Sequence, residues 1–276
     1  MITILGAGLL GAGMAENLLN KGERVTVWNR TPAKVAPLVA LGATAAPDPR
    51  SAAAGASRIH LVLTSDDAVD AVIAAMGPTD AWVIDHSTNL PARVRARTER
   101  LWAEGVRYVH VPVFMGPKNA RDATGLMLHS APKAVADAIA GPLAAMTGQV
   151  WHCGDRPDLA AAYKLIGNGA FVGITGLVGD LFAVGAGAGM SPDEVLALFS
   201  VFNPGSTISW IGERVIAAPT ATPSFELPMA RKDVRLMLET AGESTIVLSA
   251  VAAAMDQALA EGLTDKDYAI FARPRG

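Results

Sequence analysis

A glycine-rich turn between an apolar run and a helical segment constrains the fold of this chain more than any other feature. The run Ile2–Leu5 ends in Gly6-Ala7-Gly8-Leu9-Leu10-Gly11, a G-x-G-x-x-G pattern, and residues 11–21 have the apolar spacing of a helix. Such a unit binds the pyrophosphate of a dinucleotide, because its glycines permit a tight turn, close approach of the phosphates and close helix packing. We therefore predict cofactor contacts from Gly6, Gly8, Leu9, Leu10 and Gly11. The alternative is a turn that holds no ligand.

Strand and helix patterns alternate over the first half of the chain. The further apolar runs that we interpret as buried strands are Arg24–Trp28, Arg58–Leu63, Ala81–Ile84, Val106–Val111, Leu126–His129 and Gln149–His152. This order predicts an α/β fold with a Rossmann-type, doubly wound and mostly parallel sheet. Helical patterns dominate after Asp158. We predict a cofactor domain over residues 1–157 and an all-α C-terminal domain over residues 158–276 for dimerisation and substrate binding.

The end of the second predicted strand distinguishes between the two nicotinamide dinucleotides. An NAD site usually carries an acid there for the ribose 2′-hydroxyl, whereas this chain has Trp28-Asn29-Arg30-Thr31. Arg30 can form charge-assisted hydrogen bonds with a 2′-phosphate, and Asn29 and Thr31 can add neutral ones. These residues therefore predict NADP as the cofactor. The alternative for Arg30 is a solvated surface arginine.

Composition argues against several other classes of protein. The net charge is −3 and there is no basic tract, so we expect no nucleic-acid partner. The single cysteine, Cys153, allows no intrachain disulfide, and the five histidines lack metal-ligand spacing, so we expect no metal. The chain runs into its first strand pattern without a basic leader, and we expect a cytoplasmic protein.

The segment from Leu165 to Met190 is almost free of charge. A membrane span needs only about 20 apolar residues, but Asn168 and Asp180 lie inside this segment and glycines are frequent in it. We expect a core helix that is buried on all sides rather than a membrane span. Because glycines let helices approach closely, we also expect the helix to pack against a partner subunit in a homodimer or homotetramer.

Five motifs follow one another along the chain: the glycine signature Gly6–Gly22, Asn29-Arg30-Thr31, Asp85-His86-Ser87-Thr88, Lys164-Leu165-Ile166-Gly167-Asn168, and Phe225 followed by Lys232-Asp233. In this order they resemble the β-hydroxyacid dehydrogenase family, which includes 3-hydroxyisobutyrate dehydrogenase and, more distantly, 6-phosphogluconate dehydrogenase. The resemblance implies that Lys164 and Asn168 are catalytic. We add Phe225 and Asp233 to the predicted substrate contacts, and Thr64, Thr88 and Lys232 to the predicted cofactor contacts.

The spacing of Lys164 and Asn168 agrees with a catalytic role. They are four residues apart and therefore share one face of a helix. That helix is otherwise apolar, and burial lowers the pKa of a lysine from about 10.4 toward neutrality, which suits proton exchange with a substrate oxygen. Asn168 would hold the same oxygen or orient the ammonium group. The alternative is a lysine that extends from the helix start into solvent.

The substrate loop departs from the family pattern. Members read D-A-P-V-S-G-G, whereas this chain reads His110-Val111-Pro112-Val113-Phe114-Met115-Gly116. Phe114 replaces the serine, Met115 replaces the first glycine and Gly116 aligns with the second, so the resemblance implies that these three residues bind the substrate. Loss of the serine hydroxyl predicts a more apolar pocket. The alternative is a repacking of the loop without functional effect.

Together these features predict an NADP-dependent oxidoreductase that acts on a small-molecule substrate. It would transfer a hydride between nicotinamide and a small hydroxyacid, an aldehyde, or a related alcohol or carbonyl compound. One alternative is an imine reductase-like enzyme, although imine reductases usually carry Asp or Tyr at the position of Lys164. The other is a protein that binds NADP without turnover.

Overall fold

The computed structural model describes residues 1–273. Its strands are β1 (Ile2–Leu5), β2 (Val25–Trp28), β3 (Thr44–Ala45), β4 (Arg58–Leu61), β5 (Trp82–Asp85), β6 (Tyr108–His110), β7 (Val113–Phe114), β8 (Leu126–His129) and β9 (Gln149–His152). Its helices in the first half are α1 (Leu9–Asn20), α2 (Ala36–Ala40), α3 (Pro49–Ala53), α4 (Asp66–Met76), α5 (Pro91–Ala103), α6 (Pro117–Asp122) and α7 (Lys133–Ala144). The remaining helices are α8 (Leu159–Gly187), α9 (Pro192–Ala197), α10 (Ile208–Ala217), α11 (Leu227–Ala241) and α12 (Val247–Ala260).

A six-stranded parallel sheet has the order β3-β2-β1-β4-β5-β6. This is the doubly wound Rossmann order, in which ligands bind beyond the carboxyl ends of the strands where the order reverses. Here the order reverses between β1 and β4, and the glycine turn directly follows β1. The predicted fold class, a Rossmann-type sheet followed by helices, is confirmed.

The other strands form a second, three-stranded sheet. β8 lies between β7, which runs antiparallel to it, and β9, which runs parallel to it. The sequence predicted β8 and β9 with the correct bounds, but it placed them as the last strands of the main sheet, and that placement is wrong. β7 was not predicted, because two residues are too few to show an alternating pattern. It contains Val113 and Phe114 of the predicted substrate loop.

Helix α8 contains the border between two compact units of the chain. The first unit is Met1–Asn168, and the second begins at Gly169. The first turns of α8, which carry Lys164, therefore belong to the same unit as the Rossmann sheet. The predicted domain border after residue 157 lies just before this helix and stays a prediction.

The second unit is helical, as predicted. Its apolar core includes Leu227, Val234 and Met255, from α11 and α12. Helix α9 begins directly after Ser191, whose hydroxyl accepts a hydrogen bond from the Glu194 backbone N–H and forms a capping box with Glu194. Near the end of the described residues, Tyr268–Ala272 forms a 3-10 helix.

The expectation that α8 is buried on all sides is wrong for the single chain. Ile166 is 67% exposed, Phe171 66% and Val172 73%. By length and composition alone this helix could cross a membrane, a property that it shares with core and interface helices of soluble proteins. The residue types of α8 determine how hydrophobic the helix is. Whether its apolar side chains are buried depends on what packs against the helix.

Candidate active site

The glycine turn after β1 has the geometry that a dinucleotide requires. Gly6 has φ +112°, and a Cβ on it would lie 2.2 Å from the Val62 carbonyl oxygen. A Cβ on Gly11 would lie 1.9 Å from the Gly6 carbonyl oxygen, whereas one on Gly8 would meet no atom within 4 Å. Gly6 and Gly11 are therefore fixed by the turn and by packing, and Gly8 leaves open space. This space lies at the N-terminus of α1, which begins at Leu9 and has no side-chain cap, so it suits an anionic group.

A cleft of about 420 Å³ extends from this turn along the carboxyl ends of β1, β2 and β4. Gly6, Gly8 and Thr64 line one part of it, and Asn29, Arg30 and Thr31 line another. The structure thus brings together most of the predicted cofactor residues. Apolar side chains, among them Val62, Leu63 and Val72, supply the rest of the wall.

Lys34 also lines this cleft and was missed in the sequence. It ends the 3-10 turn Pro32–Lys34, one turn after Arg30 and Thr31. The signal was present as a second cation four residues after Arg30. Two cations beside one cleft, with no carboxylate among its lining residues, favour a doubly charged phosphate.

Asn29 lines the cleft and also has a structural role, while its predicted phosphate contact stays a prediction. Its Oδ1 accepts a hydrogen bond from the Ala7 backbone N–H at 3.0 Å, and its Nδ2 donates to the Thr31 carbonyl oxygen at 2.9 Å. The side chain thus ties the glycine turn to the segment after β2. It holds the two halves of the cleft in register.

The Asp85-His86-Ser87-Thr88 segment holds the backbone of a residue that lines the cleft. Asp85 is fully buried and accepts hydrogen bonds from the Ser87 backbone N–H, Asn89 Nδ2 and Tyr108 Oη at 2.8–2.9 Å. The Ser87 hydroxyl in turn accepts from the Leu63 backbone N–H at 3.0 Å, next to Thr64. Thr88 is exposed and does not line the cleft in this structure.

His86 of this segment contacts a second buried histidine, His60, and this contact was not predicted. The His86 Nδ1 atom lies 2.7 Å from the Val111 carbonyl oxygen, and its Nε2 lies 2.9 Å from His60 Nδ1. Since a carbonyl only accepts, His86 donates from Nδ1 and accepts from His60 at Nε2. Burial lowers the pKa of His86 to about 4, so the ring is neutral at pH 7. The pair connects β4 and β5 to the segment that leads into β7.

Lys164 lies in the second turn of α8 and is held by β7. Its Nζ donates a hydrogen bond to the Val113 carbonyl oxygen at 2.7 Å and lies 4.3 Å from the centre of the Phe114 ring. Burial lowers the pKa of this ammonium group below its usual value. Asn168 follows one turn later and is half-buried. A half-buried lysine held by a neutral carbonyl can exchange a proton with a bound substrate.

The three residues of the predicted substrate loop have different surroundings. Phe114 contacts Lys164, as described above. Met115 packs against the core of the first unit, and its Cβ approaches Gly125. The Gly116 backbone N–H donates to Asn119 Oδ1 at 3.0 Å, and Gly116 is the N-cap residue of α6. Of the three, Phe114 alone contacts the candidate catalytic group.

The predicted site residues of the second unit lie on and before α11. The Phe225 ring packs against Tyr268, with ring centres 5.5 Å apart. Lys232 and Asp233 form an ion pair of 2.9 Å, and both side chains are more than 40% exposed. Within residues 1–273 no three His, Cys, Asp or Glu side chains are grouped as metal ligands would be, and the expected lack of a metal stays a prediction.

Comparison with known proteins identifies the first unit. The family model described as the NAD binding domain of 6-phosphogluconate dehydrogenase matches residues 1–154, more than half of the chain. The 3-sulfolactaldehyde reductase of Escherichia coli (strain K12) is 27% identical over 97% of this chain and 93% of its own length. The mitochondrial 3-hydroxyisobutyrate dehydrogenase of Drosophila melanogaster is 25% identical over 98% of this chain and 87% of its own length.

Solved structures extend the likeness to the whole fold. An imine reductase from Pseudomonas sp. superposes with a TM-score of 0.87 at 20% identity, covering 98% of this chain and 97% of that one. A reductive aminase from Aspergillus terreus in complex with NADPH4, cyclohexanone and allyl amine gives 0.87 at 23% identity over the same shares of the chains. At such identity these likenesses concern the fold alone.

Proposed function

The chain belongs to the family of the NAD-binding domain of 6-phosphogluconate dehydrogenase, and from this premise we propose that it is an NADP-dependent oxidoreductase acting on an alcohol–carbonyl couple. The observation that carries the proposal is Lys164, a half-buried lysine held by the neutral Val113 carbonyl. Two relatives support the proposal, since one is a 3-sulfolactaldehyde reductase and the other a 3-hydroxyisobutyrate dehydrogenase.

Selection of NADP over NAD follows from the charges around the cleft. Arg30 and Lys34 line it, Thr31 adds a hydroxyl, and no acid occupies the position after β2. A guanidinium or ammonium group forms charge-assisted hydrogen bonds with a 2′-phosphate, which NAD lacks. Asn29 contributes indirectly, because it fixes the turn that carries these residues.

In the mechanism that we propose, Lys164 moves the proton. A nicotinamide dinucleotide held by the cleft residues would supply the hydride for carbonyl reduction. The Lys164 ammonium has three N–H donors, of which one binds Val113, so two remain for the substrate oxygen. It gives one proton to that oxygen as the alcohol forms and is left as a neutral amine. In the oxidation direction the amine takes the same proton back.

The substrate that fits best is a carbonyl compound with an apolar group near the reacting carbon. Phe114 places a ring beside Lys164 where the family has a serine hydroxyl. A lost hydrogen bond to a buried carboxylate costs about 1–3 kcal/mol, and a phenyl ring favours apolar groups. We therefore expect lower activity on small β-hydroxyacids than on bulkier or less anionic carbonyl compounds. Imine reduction stays the alternative, and Lys164 argues against it.

A substrate panel tests this function. The purified full chain is mixed with NADPH and, separately, with glyoxylate, succinic semialdehyde, apolar aldehydes and ketones, and cyclic imines, and NADPH consumption is followed. Turnover of carbonyl compounds supports the proposal, and faster turnover of the apolar ones supports the role of Phe114. Turnover of imines alone would replace it with the imine reductase alternative. Tight NADPH binding without any turnover would support a non-catalytic protein.

We also propose that the protein is a homodimer or homotetramer. The exposed apolar residues of α8, such as Ile166, Phe171 and Val172, would then be covered by a second copy. Light scattering at micromolar concentration measures the mass directly. A particle of twice or four times 28.5 kDa supports the proposal, and a monomer alone contradicts it.

A further inference from the structure

Two neighbouring residues of β7 contact the ammonium group of Lys164. The Val113 carbonyl oxygen accepts its hydrogen bond at 2.7 Å, and the centre of the Phe114 ring lies 4.3 Å from the same Nζ atom. Both residues are fixed by antiparallel pairing, with Val113 opposite Met127 and Phe114 opposite Leu126. The lysine therefore meets a dipole and an aromatic face, each held by a sheet.

The Phe114 ring is also fixed against the helix that carries the lysine. A Cβ on Gly167 would lie 2.2 Å from Phe114 Cζ and 2.6 Å from Cε1. Any side chain at position 167 would displace the ring, so it rests directly on the backbone of α8, one turn after Lys164. The contact between ring and ammonium group is thus set from both sides.

The other charges near Lys164 do not explain its protonation. In the first unit, no Asp or Glu side chain forms an ion pair with Lys164, whose Nζ donates to the Val113 carbonyl oxygen instead. β7 contributes Val113 and Phe114, which carry no ionisable side chain. The preceding residue on α8, Tyr163, packs its ring on Trp151 with ring centres 4.8 Å apart. Burial alone lowers the pKa of Lys164, so any stabilisation of the charged form comes from the two neighbours in β7.

We infer that Phe114 is a positioning residue that binds the protonated form of Lys164 through the face of its ring and so sets the pH at which this lysine exchanges its proton. The inference rests on the proposed role of Lys164 as the general acid–base. The negative face of an aromatic ring attracts a cation and has little affinity for the neutral amine. Loss of the ring therefore lowers the proton affinity of Lys164. The strength typical of such contacts corresponds to a shift of about 0.4 to 1.5 pH units.

The consequence for catalysis has a definite sign. Carbonyl reduction needs the protonated lysine, so kcat/KM for reduction falls as the pH rises through the pKa of Lys164. Without the ring this falling limb moves to lower pH. The oxidation direction needs the neutral amine, so without the ring its rising limb moves to lower pH by the same amount.

The test compares Phe114→Leu with the wild-type protein. The pKa of Lys164 is read from the ¹³C chemical shift of reductively ¹³C-methylated lysines, with the signal assigned by its absence in Lys164→Arg. The pH profile of kcat/KM is measured on the best carbonyl substrate of the panel. Trp151→Leu is the matched control, because it removes an aromatic ring beside α8 that contacts Tyr163 and not Lys164.

We expect Phe114→Leu to lower both the pKa of Lys164 and the falling limb of the profile by about 0.4 to 1.5 pH units, with no shift in Trp151→Leu. An unchanged pKa in Phe114→Leu would overturn the inference. Replacement of Phe114 by 3,5-difluorophenylalanine keeps the shape and weakens the ring face, so it gives a smaller shift in the same direction even if the leucine variant folds poorly. Full activity of Lys164→Arg with a pH-independent profile would instead overturn the proposed function, whatever the ring does.

Discussion

Removal of the Asp180 carboxylate should destabilise the second unit strongly. Asp180 lies on the apolar helix α8 and is 3% exposed. Its Oδ1 accepts from the Ile246 backbone N–H, and its Oδ2 accepts from Val247 and Leu248, each at 2.7 Å. These are N–H groups of the first turn of α12, which has no side-chain cap of its own. A carboxylate from another helix therefore caps α12.

The magnitude follows from these three bonds. Burial raises the pKa of Asp180, but the three N–H donors outweigh burial and leave it below the usual 3.8. A hydrogen bond to a charged group contributes about 1.5–3 kcal/mol, and a lost N-cap costs about 0.5–2 kcal/mol. Because water satisfies part of what Asp180→Ala leaves open, we expect a loss of about 3–5 kcal/mol. Asp180→Asn keeps one acceptor and should lose about 1–2 kcal/mol.

Urea unfolding at pH 7, followed by circular dichroism, measures these differences. Asp265→Ala is the control in the same unit, because its carboxylate is 76% exposed and lies 3.8 Å from Lys266. An exposed pair of this kind contributes less than about 1 kcal/mol. If Asp180→Ala and Asp265→Ala lost the same stability within about 1 kcal/mol, the capping argument would be refuted.

Two further predictions concern the cofactor cleft and the buried histidines. Arg30→Asp should weaken NADP binding by about 10- to 150-fold and leave NAD binding nearly unchanged, because one charge-assisted phosphate contact contributes about 1.5–3 kcal/mol; calorimetric titration with both cofactors checks this, and equal losses would contradict it. Burial holds the pKa of His86 at about 4 against 6.5 in the unfolded chain, so its stabilising effect is complete above about pH 6.5 and is lost as the pH falls toward 4. Between pH 7 and pH 4.5 the free energy of unfolding should fall by about 2–3 kcal/mol more in the wild type than in His86→Asn, and parallel curves for the two proteins would argue against it.

The Rossmann sheet was predictable because its signals are local. Runs such as Ile2–Leu5 are apolar, and the glycine turn has one structural interpretation once a helix follows it. The membership of β8 and β9 was not predictable in the same way. Their propensity for strand is local, but their partner is chosen by distant residues, here β7, which is too short to be recognised.

The site was predictable where one residue carries the signal. Lys164 and Phe114 were placed near each other by resemblance to a family, and the structure brings them within 4.3 Å. The contact of His60 with His86 was not visible, because it arises from the register of β4 beside β5. The hydrogen bond between Asn29 and Ala7 was not predictable either, because the two residues are far apart in the sequence.

The exposure of α8 shows a limit of a different kind. Its sequence predicts an apolar helix, and the structure contains one over Leu159–Gly187. Whether an apolar residue such as Val172 is covered depends on what packs against the helix, and that is a property of the assembly. The apolar composition of α8 therefore indicates that another surface packs against it, but the identity of that surface depends on the assembly.

The Lys164→Ala variant tests the central claim most directly. Turnover of the best substrate is measured with saturating NADPH, and the NADPH dissociation constant is measured by titration. The account predicts a loss of kcat of about 10²- to 10⁴-fold with cofactor affinity nearly intact, as for the removal of a general acid–base. A kcat close to that of the wild type would contradict the assignment of Lys164.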